Sequence, residues 1–228
     1  MKNALTAAIL AVMATASAGS YAHQEGDWIV RVGATTVAPN DDSDKITLPT
    51  QPDETVLRGV EVDDDTQLGL IPVYMITDNW GMELLAATPF EHDISVKGLP
   101  LDAGSTKHLP PTLSLQWYPR GGSSGWQPYV GVGLNYTLFF DEEVDRDLEG
   151  ALDALLGAKK VDLSLSDSFG LAAQAGVDIP LGEKWAINAG VWYIDISTEA
   201  TIKTDVGRVK FDVDIDPWVY NVGIAYKF

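Results

Sequence analysis

Residues 212–228 read DVDIDPWVYNVGIAYKF. From Trp218 to Phe228 every even position is apolar: Trp218, Tyr220, Val222, Ile224, Tyr226, Phe228. Before Asp216 the odd positions are apolar, Val209, Phe211, Val213 and Ile215, with Lys210, Asp212 and Asp214 between them. A period of two belongs to a β-strand with unlike faces. Here the apolar face changes sides partway along. The stretch from Trp218 to Phe228 climbs roughly 28 Å at ~3.3 Å per residue and a tilt near ~40°, close to the ~25 Å apolar band of an outer-membrane barrel. Trp218 then marks the outer interface. Above it the outward face meets water and sugar, and takes Asp212, Asp214 and Asp216.

The preceding strand changes at a similar height. Trp185, Ile187, Ala189, Val191 and Tyr193 form its lower outward set, and Asp195, Ser197 and Glu199 continue the same parity upward. Ile194, Ile196, Ala200 and Ile202 face inward. A bulge at Pro217 would restore the phase of one strand but would not explain two.

Six more segments alternate: Trp28 to Val37, Thr66 to Ile76, Trp80 to Phe90, Thr112 to Trp117, Tyr129 to Phe140 and Phe169 to Leu181. Links at Thr77–Asn79, Arg120–Gly125 and Gly182–Lys184 are short and turn-like, while those at 38–65, 91–107 and 141–161 are long and acidic. Residues 151–158 (ALDALLGA) read as a short helix inside the last loop. The expectation is an all-β fold, an eight-stranded antiparallel transmembrane β-barrel with extended extracellular strands and a short loop helix. A soluble lipocalin-like barrel would share the pattern. It would put its polar face in water, whereas the faces opposite the apolar ones here are rich in glycine and small polar residues, as a crowded lumen requires. Trp28, Trp80, Trp117, Trp126 and Trp185 all fall near one rim, as an interfacial girdle does.

Residues 1–22 carry Lys2, an apolar run and small residues ending in Ser20-Tyr21-Ala22, the pattern of a cleaved signal peptide. Residues 23–228 then form a single outer-membrane barrel domain. The chain has no cysteine and a formal net charge of −18, which argues against nucleic acid as a partner. Its acids cluster at 41–44, 61–65 and 141–149 without the spacing of a calcium loop. They read first as solvated loops, and second as groups bridged through divalent cations to neighbouring anionic lipid. The expected surroundings are outer-membrane lipid and lipopolysaccharide, in a Gram-negative bacterium. No metal-ligand spacing and no cofactor motif is present.

The lumen reads as two storeys. The lower is polar: Arg31, Glu83, Gln174, Asp178, Asn188 and Asn221, with Arg31 and Glu83 neutralising each other as a plug. The upper is apolar: Ile194, Ile196, Phe211, Val213 and Ile215, with Trp192 near its floor, line a channel for small hydrophobic molecules. The other reading of those residues is a collapsed core that stiffens the extension. Pro89, Pro111 and Pro217 lie at one level, where each removes a ladder hydrogen bond, and mark a lateral exit into the membrane.

The stretches TQLGL (66–70), YMITDNWGMELLAATPFEH (74–92), HLPPTLSLQWY (108–118), PYVGVGLNYTLFF (128–140), DSFGLAAQAGVD (167–178) and VWYIDI (191–196), with the DPW…YKF end, resemble the OmpW family of small outer-membrane barrels. The resemblance spans nearly the whole chain. It implies an eight-stranded barrel with a hydrophobic channel that passes small hydrophobic compounds, as its alkane-uptake relatives also imply. The first loop and residues 141–161 are less family-like and more acidic. Two other functions compete. A sealed structural, receptor or adhesion barrel would act through the acidic loops. An enzyme would have to use His23, His92 or His108, the last two flanking a loop that carries Ser95 and Ser105, yet no nucleophile motif is present. Eight strands leave no wide aqueous pore.

Overall fold

The computed structural model describes residues 21–40, 42–43, 46–47, 55–57 and 59–228. The expected leader lies outside them except for its last two residues, Tyr21 and Ala22. Eight strands close the barrel. In the labels used here they are β1 (Trp28–Ala38), β2 (Asp65–Met75), β3 (Trp80–Ala87), β6 (Thr112–Trp117), β7 (Gln127–Val144), β9 (Ser168–Pro180), β10 (Trp185–Ile194) and β13 (Trp218–Lys227). Each pairs antiparallel with its neighbour, and β13 closes on β1 from Ile29↔Lys227 to Ala38↔Trp218. Closure leaves no free edge within the barrel, the condition for a sheet to stand in lipid.

Above the barrel the wall continues as two separate sheets. One joins β4 (Phe90–Val96), β5 (Asp102–Leu109), the top of β7 and the short strand Val60–Val62. The other joins β8 (Val161–Leu165), β11 (Ser197–Thr204) and β12 (Gly207–Asp214), with Asp42–Ser43 paired at its side. The region 91–107, expected as a loop, is thus mostly a hairpin. Its alternation is real, since Phe90, His92, Ile94 and Val96 are all buried, but histidine and acids mask it in the sequence.

The face change at Trp218 is a change of surroundings and not of geometry. Tyr193 pairs with Trp218 and Ser197 with Asp214, so the register of the two strands is unbroken across Pro217. Inward positions stay inward: Val219, Phe211 and Val213 are buried, while Tyr220, Val222 and Ile224 stand exposed outside. Leu113, Leu115, Val132, Leu134, Phe169 and Leu171 join them on the exterior. A surface this apolar needs lipid around it. Its lower edge carries Trp28 against Tyr74 and Trp185 against Tyr226, with ring centroids 5.1 and 4.6 Å apart. Its upper edge carries Tyr193 against Trp218 at 5.2 Å.

The helix α1 (Arg146–Leu156) starts earlier than the sequence suggests and stops sooner. The Asp145 side chain accepts from Asp147 N at its start, and Gly157, at φ 71°, turns the chain out of it. Leu148 and Leu152 pack into the upper core with Phe211 and Val213.

Glycine decides where bulk can enter the lumen. Gly176 and Gly190 pair across β9 and β10. A Cβ on Gly176 would collide with the Tyr129 ring, and one on Gly190 would stand 2.7 Å from the Trp192 ring. Replacing Gly176 by valine should therefore overpack the lumen and cost about 1–3 kcal/mol. The heat-modifiable electrophoretic shift of the refolded barrel measures this, and the variant should show a lower folded fraction than the parent.

Candidate functional site: a polar plug beneath an apolar gorge

Inward alternation brings charged groups from separate strands to one point low in the lumen. Arg31 of β1 reaches Glu83 of β3 at 2.6 Å through Nη1. It reaches Asp178 of β9 at 3.1 Å through Nε and 2.8 Å through Nη2. Nη2 also donates to the Tyr118 hydroxyl at 2.9 Å, and the guanidinium lies 4.5 Å from the centre of the Tyr129 ring. All three charged side chains are fully buried. The expected Arg31–Glu83 pair is therefore a triad, with Asp178 as the second carboxylate. Its bidentate contact is the arrangement a guanidinium favours.

Amides absorb the remaining lone pairs. Gln116 and Gln174 donate to Glu83 at 2.6 and 3.0 Å, and Asn188 donates to Asp178 at 2.8 Å. Trp192 Nε1 donates to Glu83 at 3.3 Å from above. Asn221 is buried higher in the lumen, where its amide donates to Thr35. His23, in the segment before β1, packs against Tyr118 beneath the triad, with ring centroids 4.4 Å apart and the planes tilted by 57°.

Ile194 was expected along the channel wall and Trp192 near the floor of the channel. The structure places both below it, fully buried with Val37, Ile71, Leu85, Phe90 and Val219. This apolar layer separates the plug from the space above. Trp192 is too large for the narrow lumen to leave it upright beside open space, and Gly190 gives its ring the room to lie across.

Above that layer lies a narrow cavity of about 70 Å³. Ile196, Phe211, Val213 and Ile215 line it, together with Pro39, Ile94, Phe139, Leu163 and Pro217. Leu148 of α1 reaches it from the loop side. Sequence reasoning missed the contribution of β4 and β5, because their inward residues include His92, Thr106 and His108. His92 and His108 come together on the hairpin with their rings stacked at 4.8 Å, flanked by Phe90 and Phe139. Ser95 and Ser105 sit at the outward positions of the same strands. No histidine–serine dyad forms among the described residues.

The three prolines differ. Pro217 is buried on the cavity wall, and its carbonyl accepts from Ile194 N at 3.2 Å, so the ladder is bridged there. Pro89 and Pro111 border a different feature. Pairing of β3 with β6 ends at Leu85↔Thr112, and pairing of β4 with β5 begins at Phe90↔His108. Among the described residues no ladder pair joins the stretch from Ala86 to Pro89 with that from Leu109 to Pro111. Pro111 bonds instead to the other side, where its carbonyl accepts from Tyr136 N at 3.1 Å.

A closed eight-stranded barrel with a lipid-facing belt, a charged plug and an apolar space above it is an outer-membrane β-barrel of the small, non-porin kind. The OmpW family model matches residues 24–228. Outer membrane protein W of Vibrio cholerae is 48% identical over 96% of this chain and 97% of its own length. Outer membrane protein W of Escherichia coli is 43% identical over 98% and 99%. The crystal structure of outer membrane protein OprG from Pseudomonas aeruginosa superposes with a TM-score of 0.80 at 45% identity, covering 91% of this chain and 98% of that one. The chain belongs to the OmpW family and resides in the outer membrane of a Gram-negative bacterium.

Two outcomes are expected from this geometry. Arg31→Met strands two buried carboxylates together, so it should cost about 3–5 kcal/mol of stability, the range for breaking a buried pair. Glu83→Gln should cost less, because Asp178 still holds the guanidinium. Urea unfolding from lipid vesicles, followed by tryptophan fluorescence, ranks the two. Separately, burial and then the neighbouring His92 push the His108 imidazole down to about 3. An opened hairpin would bind a proton near the ordinary value of about 6.5, so its stability is full above that pH and falls as the pH drops toward 3. Amides of β4 and β5 should lose hydrogen-exchange protection at pH 4.5 relative to pH 7.5, and His108→Phe should remove most of that difference.

Proposed function

We propose that the protein admits small hydrophobic molecules through the apolar gorge and releases them sideways into the membrane. The observation that carries this reading is an apolar cavity above a charged, fully buried plug, with an apolar layer closing the space between them. A solute that enters from outside finds shelter from water among Ile196, Phe211, Val213 and Ile215, and no path downward. Trp192 and Ile194 act as the floor that turns it aside. Burial is worth roughly 25 cal/mol per Å² of apolar area, so a few carbons bind weakly and leave readily.

The exit we favour is the unpaired strip between Pro89 and Pro111, with Pro217 as part of the facing wall. Widening a strip that no ladder bonds cross breaks no backbone pairing within it, whereas opening a fully paired stretch would. A relative from Pseudomonas aeruginosa, 25% identical to this chain, is the dibenzothiophene metabolism operon protein PahQ, and dibenzothiophene is an apolar fused aromatic. That relationship is in keeping with apolar solutes here.

Aspartate at Val213 or Ile196 should lower uptake of an apolar fluorescent probe into proteoliposomes at least severalfold, while folded barrel still accumulates. The chain has no cysteine, so Thr88→Cys with Leu109→Cys gives a clean pair for a short thiol cross-linker. Cross-linking should slow uptake and restore it on reduction. Charged gorge variants that fold and transport like the parent would favour a sealed barrel acting through its loops.

A further inference from the structure

Polar side chains reach the gorge wall from two sides. Thr198 of β11 is one, and its hydroxyl donates to the Ser166 carbonyl at 2.7 Å. His92, Thr106 and His108 meet on β4 and β5, with His92 and Thr106 directly opposite in register. The His92 ring is 3% exposed, and its Nδ1 faces the backbone carbonyl of Asp63. A carbonyl only accepts, so Nδ1 carries the proton and Nε2 is left with a bare lone pair. Nε2 is buried and has no partner. A buried acceptor without a donor is costly, so a donor brought by a solute is rewarded there more than in water.

We infer that the gorge contains a subsite at His92 for uncharged solutes carrying one hydrogen-bond donor, such as phenols and short alcohols. The apolar body lies among Ile94, Ile196 and Val213, and the hydroxyl donates to Nε2. This inference rests on the gorge admitting solutes at all. The charge around the site sets the class. Burial holds both imidazoles neutral, His92 below its ordinary range and His108 further still, so no cation is present to attract a carboxylate. On the outward side of the same hairpin, Asp63, Asp93, Asp102, Glu143 and Asp145 surround a polar cleft. Their charge disfavours the approach of anions from outside. Cations find no counter-charge within the cavity wall itself, whose members carry no carboxylate. An uncharged donor is the chemistry that remains.

The test compares p-cresol with p-xylene, which share shape but exchange a hydroxyl for a methyl. Full-length mature barrel in lipid nanodiscs is titrated with each, following the methyl resonances of Ile94, Ile196 and Val213. Each affinity is referred to the solute's own concentration in the lipid. The expected result is a preference for p-cresol of roughly tenfold, the scale of one hydrogen bond in a buried place. The nitrogen resonance of His92 Nε2 should shift on adding p-cresol and stay still with p-xylene. His92→Phe, which keeps an aromatic ring between Phe90 and His108, should bring the ratio of the two affinities close to one. Equal affinities in the parent, or a ratio that survives His92→Phe, would overturn the subsite while leaving the gorge intact. Absence of any binding by either solute would overturn both the subsite and the gorge.

Discussion

Arg31 stands inside a barrel too narrow to hold water around it, and Glu83 and Asp178 take the place of that water. A guanidinium so buried is tolerable only with carboxylates on it, and carboxylates so buried only with a guanidinium. The triad draws on β1, β3 and β9, so it ties together strands that are not neighbours in the sheet. Glutamine and asparagine amides then fill the lone pairs left over, and Trp192 closes the cluster from above. The lower half of the molecule is solid because of this group. Everything above it is free to be apolar.

That division follows from the surroundings of each storey. In the lower barrel, lipid covers the outside, so apolar side chains go out and polar ones must satisfy one another within. Above the membrane, water covers the outside, so the same strands put acids out and aliphatic groups in. The strands themselves do not change. Pro217 and Asp216 mark the level at which the solvent outside changes; the ladder pauses there and Asp216 takes φ 37°, but the register is the same on both sides, so inward and outward parity carry through.

The histidine pair is where the two rules meet imperfectly. His92 and His108 occupy inward positions of the upper storey, where the neighbouring inward residues are Phe90, Ile94 and Val96. Stacking satisfies their faces, and Asp63 satisfies one nitrogen. The imidazoles give a largely apolar cavity wall a chemical direction. Their neutrality at physiological pH comes from burial, the same condition that makes the gorge apolar.

The sequence by itself determined the strand count, the closed barrel, the lipid-facing belt and the two storeys, because a period of two reports faces directly and the membrane fixes what each face must be. It also brought Arg31 and Glu83 into one lumen, since both fall at inward positions of strands that share it. It did not reveal Asp178 as the second partner, since inward parity says which residues enter the lumen and not which of them meet at one height. It read 91–107 as a loop, because polar residues at His92 and Thr106 break an alternation that burial nonetheless keeps. Only the tertiary structure decided that Ile194 lies with Trp192 beneath the cavity and not along it. The room for the Trp192 ring comes from Gly190 on the same strand, where a Cβ would stand 2.7 Å from it. It alone separated Pro217, whose ladder is bridged, from Pro89 and Pro111. A proline's missing hydrogen bond is visible in sequence, but whether the neighbouring strand makes good the loss depends on register, which is a property of two strands at once.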